Sequence, residues 1–350
     1  MSEPLFSNNT VFGEAFLPPD LLGRTTEMAE LRRCLGPLAR HRPPRNLWLH
    51  GPPGTGKTCA AKLLLNEFEQ RFGIHGVYVN CWESDTFHAV LNQIAADLQI
   101  LGAERLNTVF KMERVERGLH SKPLLVVLDE FDKPVARERD AIIYGLCGMP
   151  KVTLICVSNS RQYYQTLDAR VRSRLNAALV EFRPYDREQI GQILEQRAEM
   201  VSHLAGLPDR LKHPIARIAR GDARAALRTL QHAIVAAEAA GARQLLPEHV
   251  RVGQRDGREA KKRYVLAKLG EHHTLIYGII QDRREVESGD LWREYRLRCR
   301  RAHLQPAAPR TFSLYLRRLI DWNLIVHRRK LGVRGNIRVF GVRNGSQQKW

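Results

Sequence analysis

One octapeptide constrains this chain more than any other stretch: Gly51-Pro52-Pro53-Gly54-Thr55-Gly56-Lys57-Thr58. Its spacing, Gly-x-x-x-x-Gly-Lys-Thr, is that of a phosphate-binding loop. Glycines let backbone N–H groups turn inward around a phosphate, the lysine supplies a point charge, and the threonine hydroxyl suits Mg²⁺. Such a loop needs a buried strand before it and the first turn of a helix after it. The apolar run "NLWLH" enters it, and "CAAKLLLNEFEQRF", with helical spacing, leaves it. The residues from Gly51 to Thr58 therefore predict a nucleoside triphosphate cradle, with Thr58 on the metal.

Four further β-rich runs follow, "GVYVN", "LLVVLDE", "VTLICVSN" and "ALVEF", separated by helix-length segments. Near-continuous apolar strands alternating with helices predict a parallel sheet covered on both faces. The second of these ends in Asp129 and Glu130, the pair expected to hold Mg²⁺ and to polarise a water for attack on a γ-phosphate. The next strand ends in Asn159. Alone, an Asn at a strand end is a turn former; placed after the loop and the Asp-Glu strand, it can orient the attacking water. Asp132 reads as a turn residue. "LDARVRSRL" then sets Arg170, Arg172 and Arg174 close together, either as a solvated basic helix or as a source of phosphoryl-transfer arginines.

After Phe182 the texture becomes Ala-, Leu- and Arg-rich with helical spacing, as in "ARAALRTLQHAIVAAEAA", and predicts a small helical domain. The polar stretch "VGQRDGREAKKR" reads as a boundary. Beyond it lie three helical patterns and two β-like runs, "LIVHRR" and "NIRVFGV", the sequence of a winged helix. The charge is concentrated there. The net formal charge is +19, and from Lys261 onward 21 Lys and Arg stand against 7 Asp and Glu, a net of +14. A solvated basic surface would account for the charge alone, but its concentration in one part of the chain points to nucleic acid, with double-stranded DNA as the expected partner. The six cysteines make no C-x-x-C pair and read as free thiols in a reducing compartment. No run approaches the ~18 apolar residues of a membrane span, so the expected location is cytoplasmic, associated with the nucleoid.

In "PAAPRTFSLYLRRLIDWNLI", Phe312, Leu316, Leu319 and Ile320 form one apolar stripe, and Arg310, Ser313, Arg317 and Asp321 lie off it. This is the pattern of a recognition helix started by the prolines or by Thr311. Arg310, Thr311, Ser313 and Arg317 are the expected base and phosphate contacts. Arg328, Arg329, Lys330, Arg334 and Arg338 would make the hairpin a basic wing.

The order strand–P-loop, Asp-Glu strand, Asn-tipped strand, arginine cluster and helical lid resembles the AAA+ ATPases. "LLGRTTEMAELRRCLGPLARHRPPRNLWLHGPPGTGKT", "VLDEFD", "LDARVRSRL", "FRPYDREQIGQILEQRA" and "GDARAALRTL" are similar to successive blocks of the archaeal replication initiators. That family is related to the largest origin recognition complex subunit and to cell division control protein six. The resemblance covers about residues 16–342. It implies ATP or ADP bound between core and lid, with Tyr185 and Arg197 as lid contacts and Arg224 sensing the γ-phosphate. It also implies a trans-acting arginine finger at Arg170, with Arg174 in the alternative position used by related AAA+ proteins. The implied parts are a lead-in over 1–15, expected to be flexible, an α/β core over 16–183, a lid over 184–255 and a winged helix over 262–345. The implied activity is slow ATP hydrolysis used as a switch by an initiator that binds origin DNA, self-associates on it and helps recruit the replicative helicase. An AAA+ matchmaker of a mobile element or clamp-loader type, and a nucleotide-sensing winged-helix repressor, are the rival readings. The segment before the Asp-Glu strand departs from the family, being shorter than its usual helical insertion.

Overall fold

Residues that are apolar on both faces of a strand must be buried on both faces, and this requirement shapes the N-terminal part of the protein. In the computed structural model, residues 9–13, 16–40, 42–119, 122–201, 207–242, 244–322, 324–329 and 338–342 are described. The five runs form β1 (Leu47–His50), β2 (His75–Asn80), β3 (Leu124–Asp129), β4 (Val152–Ser158) and β5 (Ala178–Glu181). They pair in parallel in the order β2-β3-β4-β1-β5. Alternate residues enter two separate cores. Leu47, Leu49 and Val127 pack with α1 (Thr25–Leu35) and α2 (Lys57–Phe72) on one face. Trp48, Val126 and Leu128 pack on the other with α3 (Phe87–Asp97), α4 (Thr108–Gly118) and α5 (Ala136–Leu146). Short helices α6 (Gln162–Gln165) and α7 (Ala169–Leu175) follow β4.

Register decides where the chemistry meets. His50 lies beside Ser158, and Leu128 beside Cys156, so β1, β3 and β4 end along the same edge of the sheet. The P-loop, Asp129 and Asn159 each begin or sit at those ends, the edge where ligands bind in open parallel sheets.

The lid consists of α8 (Arg187–Glu199), α9 (Asp209–Ala219) and α10 (Ala223–Ala239) around Leu194, Leu211 and Leu230. Asp186 and Gln189 start α8 with a reciprocal capping box. The lead-in differs from expectation at residues 9–12. These form a 3₁₀ turn whose Val11 and Phe12 are 4% and 3% exposed in the lid core, so their apolar side chains tie the segment down. The polar boundary also differs, because "VGQRDGREAKKR" lies within one continuous helix, α11 (Pro247–Leu269). Its Arg, Glu, Lys and Ala are strong helix formers. Gly253 is needed there because a Cβ would come within 2.5 Å of the Ala233 backbone nitrogen.

The chain divides into two compact units, residues 1–253 and 254–350, with the division falling within α11. In the second, α12 (Glu271–Arg283), α13 (Ser288–Arg301) and α14 (Pro309–Asp321) enclose Ile276, Tyr295, Phe312 and Leu319. β7 (Ile325–Arg329) and β8 (Arg338–Val342) form the expected antiparallel hairpin. A three-residue strand not expected from the sequence, β6 (Glu285–Glu287), completes the sheet in the order β6-β8-β7. Three helices and a β-hairpin are the elements expected from the sequence for a winged helix. All six cysteines are free thiols, four of them buried. Among the described residues no helix is long and apolar enough to cross a membrane.

Candidate functional site

The P-loop turns sharply because its glycines permit it. Gly54 and Gly56 have φ of +75° and +92°, and a Cβ on Gly54 would lie 1.9 Å from an Asp222 carboxylate oxygen of the lid. A Cβ on Gly56 would lie 2.7 Å from the Tyr185 hydroxyl. Only hydrogen fits at either place. Thr55 steadies the loop by donating to the Pro52 carbonyl at 2.9 Å. Pro52 and Pro53 are exposed. α2 then starts at Lys57, so its first N–H groups, unpaired within the helix, face the loop.

Lys57 is buried and donates to the Gly51 and Pro52 carbonyls at 2.7 and 2.8 Å, reaching the Asn159 carboxamide oxygen at 3.5 Å. Burial, followed by the nearby charge of Arg224, pulls its ammonium down to about 8. Asn159 in turn donates to Glu130 at 3.1 Å and to Asp132 at 3.3 Å. Glu130 holds a left-handed φ of 51°. Its carboxyl is pushed above the usual range, first by burial and then by Asp132 and Asp129. Asp129 is 4% exposed and accepts from the Tyr78 hydroxyl at 2.7 Å and from the Glu130 N–H at 2.9 Å. Lys57, Asn159, Glu130 and Asp129 thus stand together. Asp132, read from sequence as a turn residue, belongs with them because its carboxylate faces Asn159 rather than solvent.

The lid closes over this edge. Asp222 caps α10, and the next residue donates its N–H to the Gly54 carbonyl at 3.0 Å. Arg224, in the first turn of α10, is exposed and close enough for its charge to act on Lys57. Tyr185 and Arg197 are 4% and 6% exposed. The Arg197 guanidinium lies 4.5 Å from the Phe16 ring centre, and its buried Nε has no partner among the described residues. The Thr58 hydroxyl also has none.

Arg24 was not legible as a site residue. Only 3% exposed, it donates to the Thr55 carbonyl at 3.1 Å and to the Arg183 carbonyl. Its guanidinium lies 3.8 Å from the Tyr185 ring centre. It therefore ties loop, core edge and lid together, and an arginine beginning a helix gave no signal of that. Tyr78 was missed for the same reason, being one aromatic among the apolar residues of β2.

Three features fit a bound nucleotide: glycines that leave room only for hydrogen, a partnerless buried Arg197 Nε, and a helix N-terminus aimed at the loop. Thr58 and Asp129 are hard oxygen donors of the kind Mg²⁺ takes.

The remaining expected residues are spread elsewhere. Arg170 is exposed, and its guanidinium has no partner among the described residues. Arg174 lies 4.3 Å from the Tyr144 ring centre, and Arg172 donates to the Gln165 carbonyl. On α14 the stripe of Phe312, Leu316 and Leu319 is buried, while Arg310, Ser313 and Arg317 are exposed and Thr311 is half-buried. Pro309 occupies the first turn, so the prolines rather than Thr311 start the helix. Ser313 donates back to the Pro309 carbonyl at 3.0 Å, which leaves its oxygen only as an acceptor. Arg328 pairs with Glu285 of β6 at 2.9 Å. Arg329 is exposed opposite Arg338. Lys330 and Arg334 lie outside the described residues.

A P-loop core with a helical lid, followed by three helices and a small antiparallel sheet, has the architecture of the AAA+ ATPase fold class. Residues 20–158 match the AAA ATPase domain family. The chain is 30% identical over 313 residues to ORC1-type DNA replication protein 1 of Sulfurisphaera tokodaii, covering 83% of this chain and 78% of that protein. It is 29% identical over 336 residues to the ORC1-type DNA replication protein of Pyrococcus furiosus, covering 88% and 80%. The structure of the Aeropyrum pernix ORC1 protein in complex with DNA matches with a TM-score of 0.85 and 26% identity, over 98% of this chain and 94% of that one. The chain belongs to the ORC1-type DNA replication protein family.

Proposed function

We propose that this protein is an ATP-regulated replication initiator that binds double-stranded origin DNA through α14 and the wing. The observation that carries this reading is one chain that gathers a P-loop, Lys57, Asn159, Glu130 and Asp129 at one sheet edge and separately presents the exposed arginines of α14. The relatives named for DNA replication, and the relative solved on DNA, support it.

At the nucleotide site, the loop N–H groups and Lys57 would hold phosphates, and Arg224 would read the outermost one from the lid. Arg197 and Tyr185 would contact the nucleotide between core and lid, with Arg24 keeping Tyr185 in place. Thr58 and Asp129 would hold Mg²⁺, which neutralises phosphate charge when bound. Glu130 would accept the proton of the attacking water, while Asn159 fixes the direction of that carboxylate. Arg170 is the better candidate for a finger reaching a neighbouring copy, because Arg174 is already stacked on Tyr144 within its own chain. Self-association on DNA and helicase recruitment belong to the same reading.

Equilibrium binding of ATP and ADP, measured beside single-turnover hydrolysis, tests the site. Lys57→Ala should weaken binding at least tenfold. Glu130→Gln should keep binding and lower hydrolysis by about 10²-fold or more, the usual worth of a general base. Hydrolysis unchanged in Glu130→Gln would remove that residue from the role.

A further inference from the structure

α13 carries five arginines, and its acidic residues satisfy only some of them. Asp290 pairs with Arg293. Glu294 accepts from Arg283 of α12 at 3.1 Å and from Arg298 at 3.4 Å, and Arg298 also reaches Asp282 at 2.7 Å. Arg296, Arg300 and Arg301 are left exposed, with no partner among the described residues.

Their placement along the helix is informative. Arg296 and Arg300 follow Trp292 at four and eight residues, so all three share one strip of α13. The Trp292 ring stands edge-on to the Phe312 ring of α14, 4.9 Å between centres. The opposite flank carries Glu294 and Arg298 and faces α12. Arg296 and Arg300 therefore lie on the side of α13 whose Trp292 meets Phe312 of α14, the helix that presents Arg310 and Arg317, and no carboxylate of α13 stands between them. Arg301 lies on the other side of α13. Cations near a helix C-terminus are tolerated by its dipole, yet that does not account for two on one strip with every local acid engaged elsewhere.

We propose that Arg296 and Arg300 form a phosphate-binding strip that grips the backbone of the same duplex engaged by α14. The inference rests on the reading of α14 as a DNA-facing helix. Guanidinium forks suit phosphate oxygens, and such contacts fix orientation without reading sequence. The strip would lengthen the footprint beyond α14 and the hairpin and add equally to binding of any sequence.

The salt dependence of binding tests it, with the full chain and labelled double-stranded fragments of its own replicon and of unrelated sequence. Each phosphate contact contributes about 0.9 to the slope of log affinity against log salt. Arg296→Ala with Arg300→Ala should make that slope shallower by about 2 on both fragments. The corresponding double lysine variant should restore most of the slope. Arg210→Ala with Arg217→Ala, which removes the same charge from exposed positions on α9, should leave it unchanged. Thermal melting checks that each variant is folded. A wild-type slope retained by the α13 variant, or an equal loss in the α9 control, overturns the strip while leaving α14 intact. A wild-type chain that binds neither fragment overturns the DNA reading itself, and the strip with it.

Discussion

Lys57 is the phosphate-loop residue whose chemistry its surroundings alter strongly. Burial and Arg224 bring its ammonium down to about 8, against the partial support of Glu130, Asp129 and Asp132. A lysine so depressed is charged below pH 8 and increasingly neutral above it, whereas a bound polyphosphate favours the charged form. ADP affinity without added metal should therefore be nearly flat up to about pH 8 and fall above it, with a proton taken up on binding at pH 9. Calorimetry in buffers of different ionisation enthalpy reads that proton directly. No proton uptake at pH 9 would mean that the amine keeps an ordinary affinity for its proton. Glu130 is altered in another way. Its left-handed backbone is uncommon for a residue with a side chain, and it turns the carboxylate back onto Asn159.

At the scale of elements, what could be read from sequence and what could not divide on physical grounds. The five buried strands were legible because burial on both faces leaves an uninterrupted apolar run. α14 was legible because one face is apolar and the rest polar. β6 was not, since three residues carry no periodicity, and α11 was misread because polarity alone does not separate a linker from a solvated helix. Tyr185 and Arg197 entered only through a family resemblance; a buried arginine stacked on Phe16 leaves no mark in spacing, because its partner lies 181 positions away in the chain. Arg24 and Asp132 acquire their roles from the same kind of distant contact. The hairpin supports a further prediction. Arg329 and Arg338 stand directly opposite on β7 and β8, a pairing of like charges that costs roughly 0.2–1 kcal/mol. Arg338→Glu should raise the melting temperature of the free protein slightly and weaken DNA binding. A variant that melts lower and binds DNA as before would show that the pair is kept for the fold.

For the whole molecule, the question is why a phosphate loop and a basic helix share one chain. If nucleotide state sets how the protein engages DNA, the two ends must be coupled free energies, and each ligand must change the affinity of the other by the same factor. Neither end alone can establish this. The most direct measurement is binding of the purified protein to labelled fragments of its own replicon, with ATP and with ADP, for wild type, Arg310→Ala and Lys57→Ala. The expected result is one preferred fragment whose affinity differs between the two nucleotides. Arg310→Ala should lose the preference, and Lys57→Ala should lose the difference. Equal weak binding to every fragment, unmoved by nucleotide or by either substitution, would contradict the account.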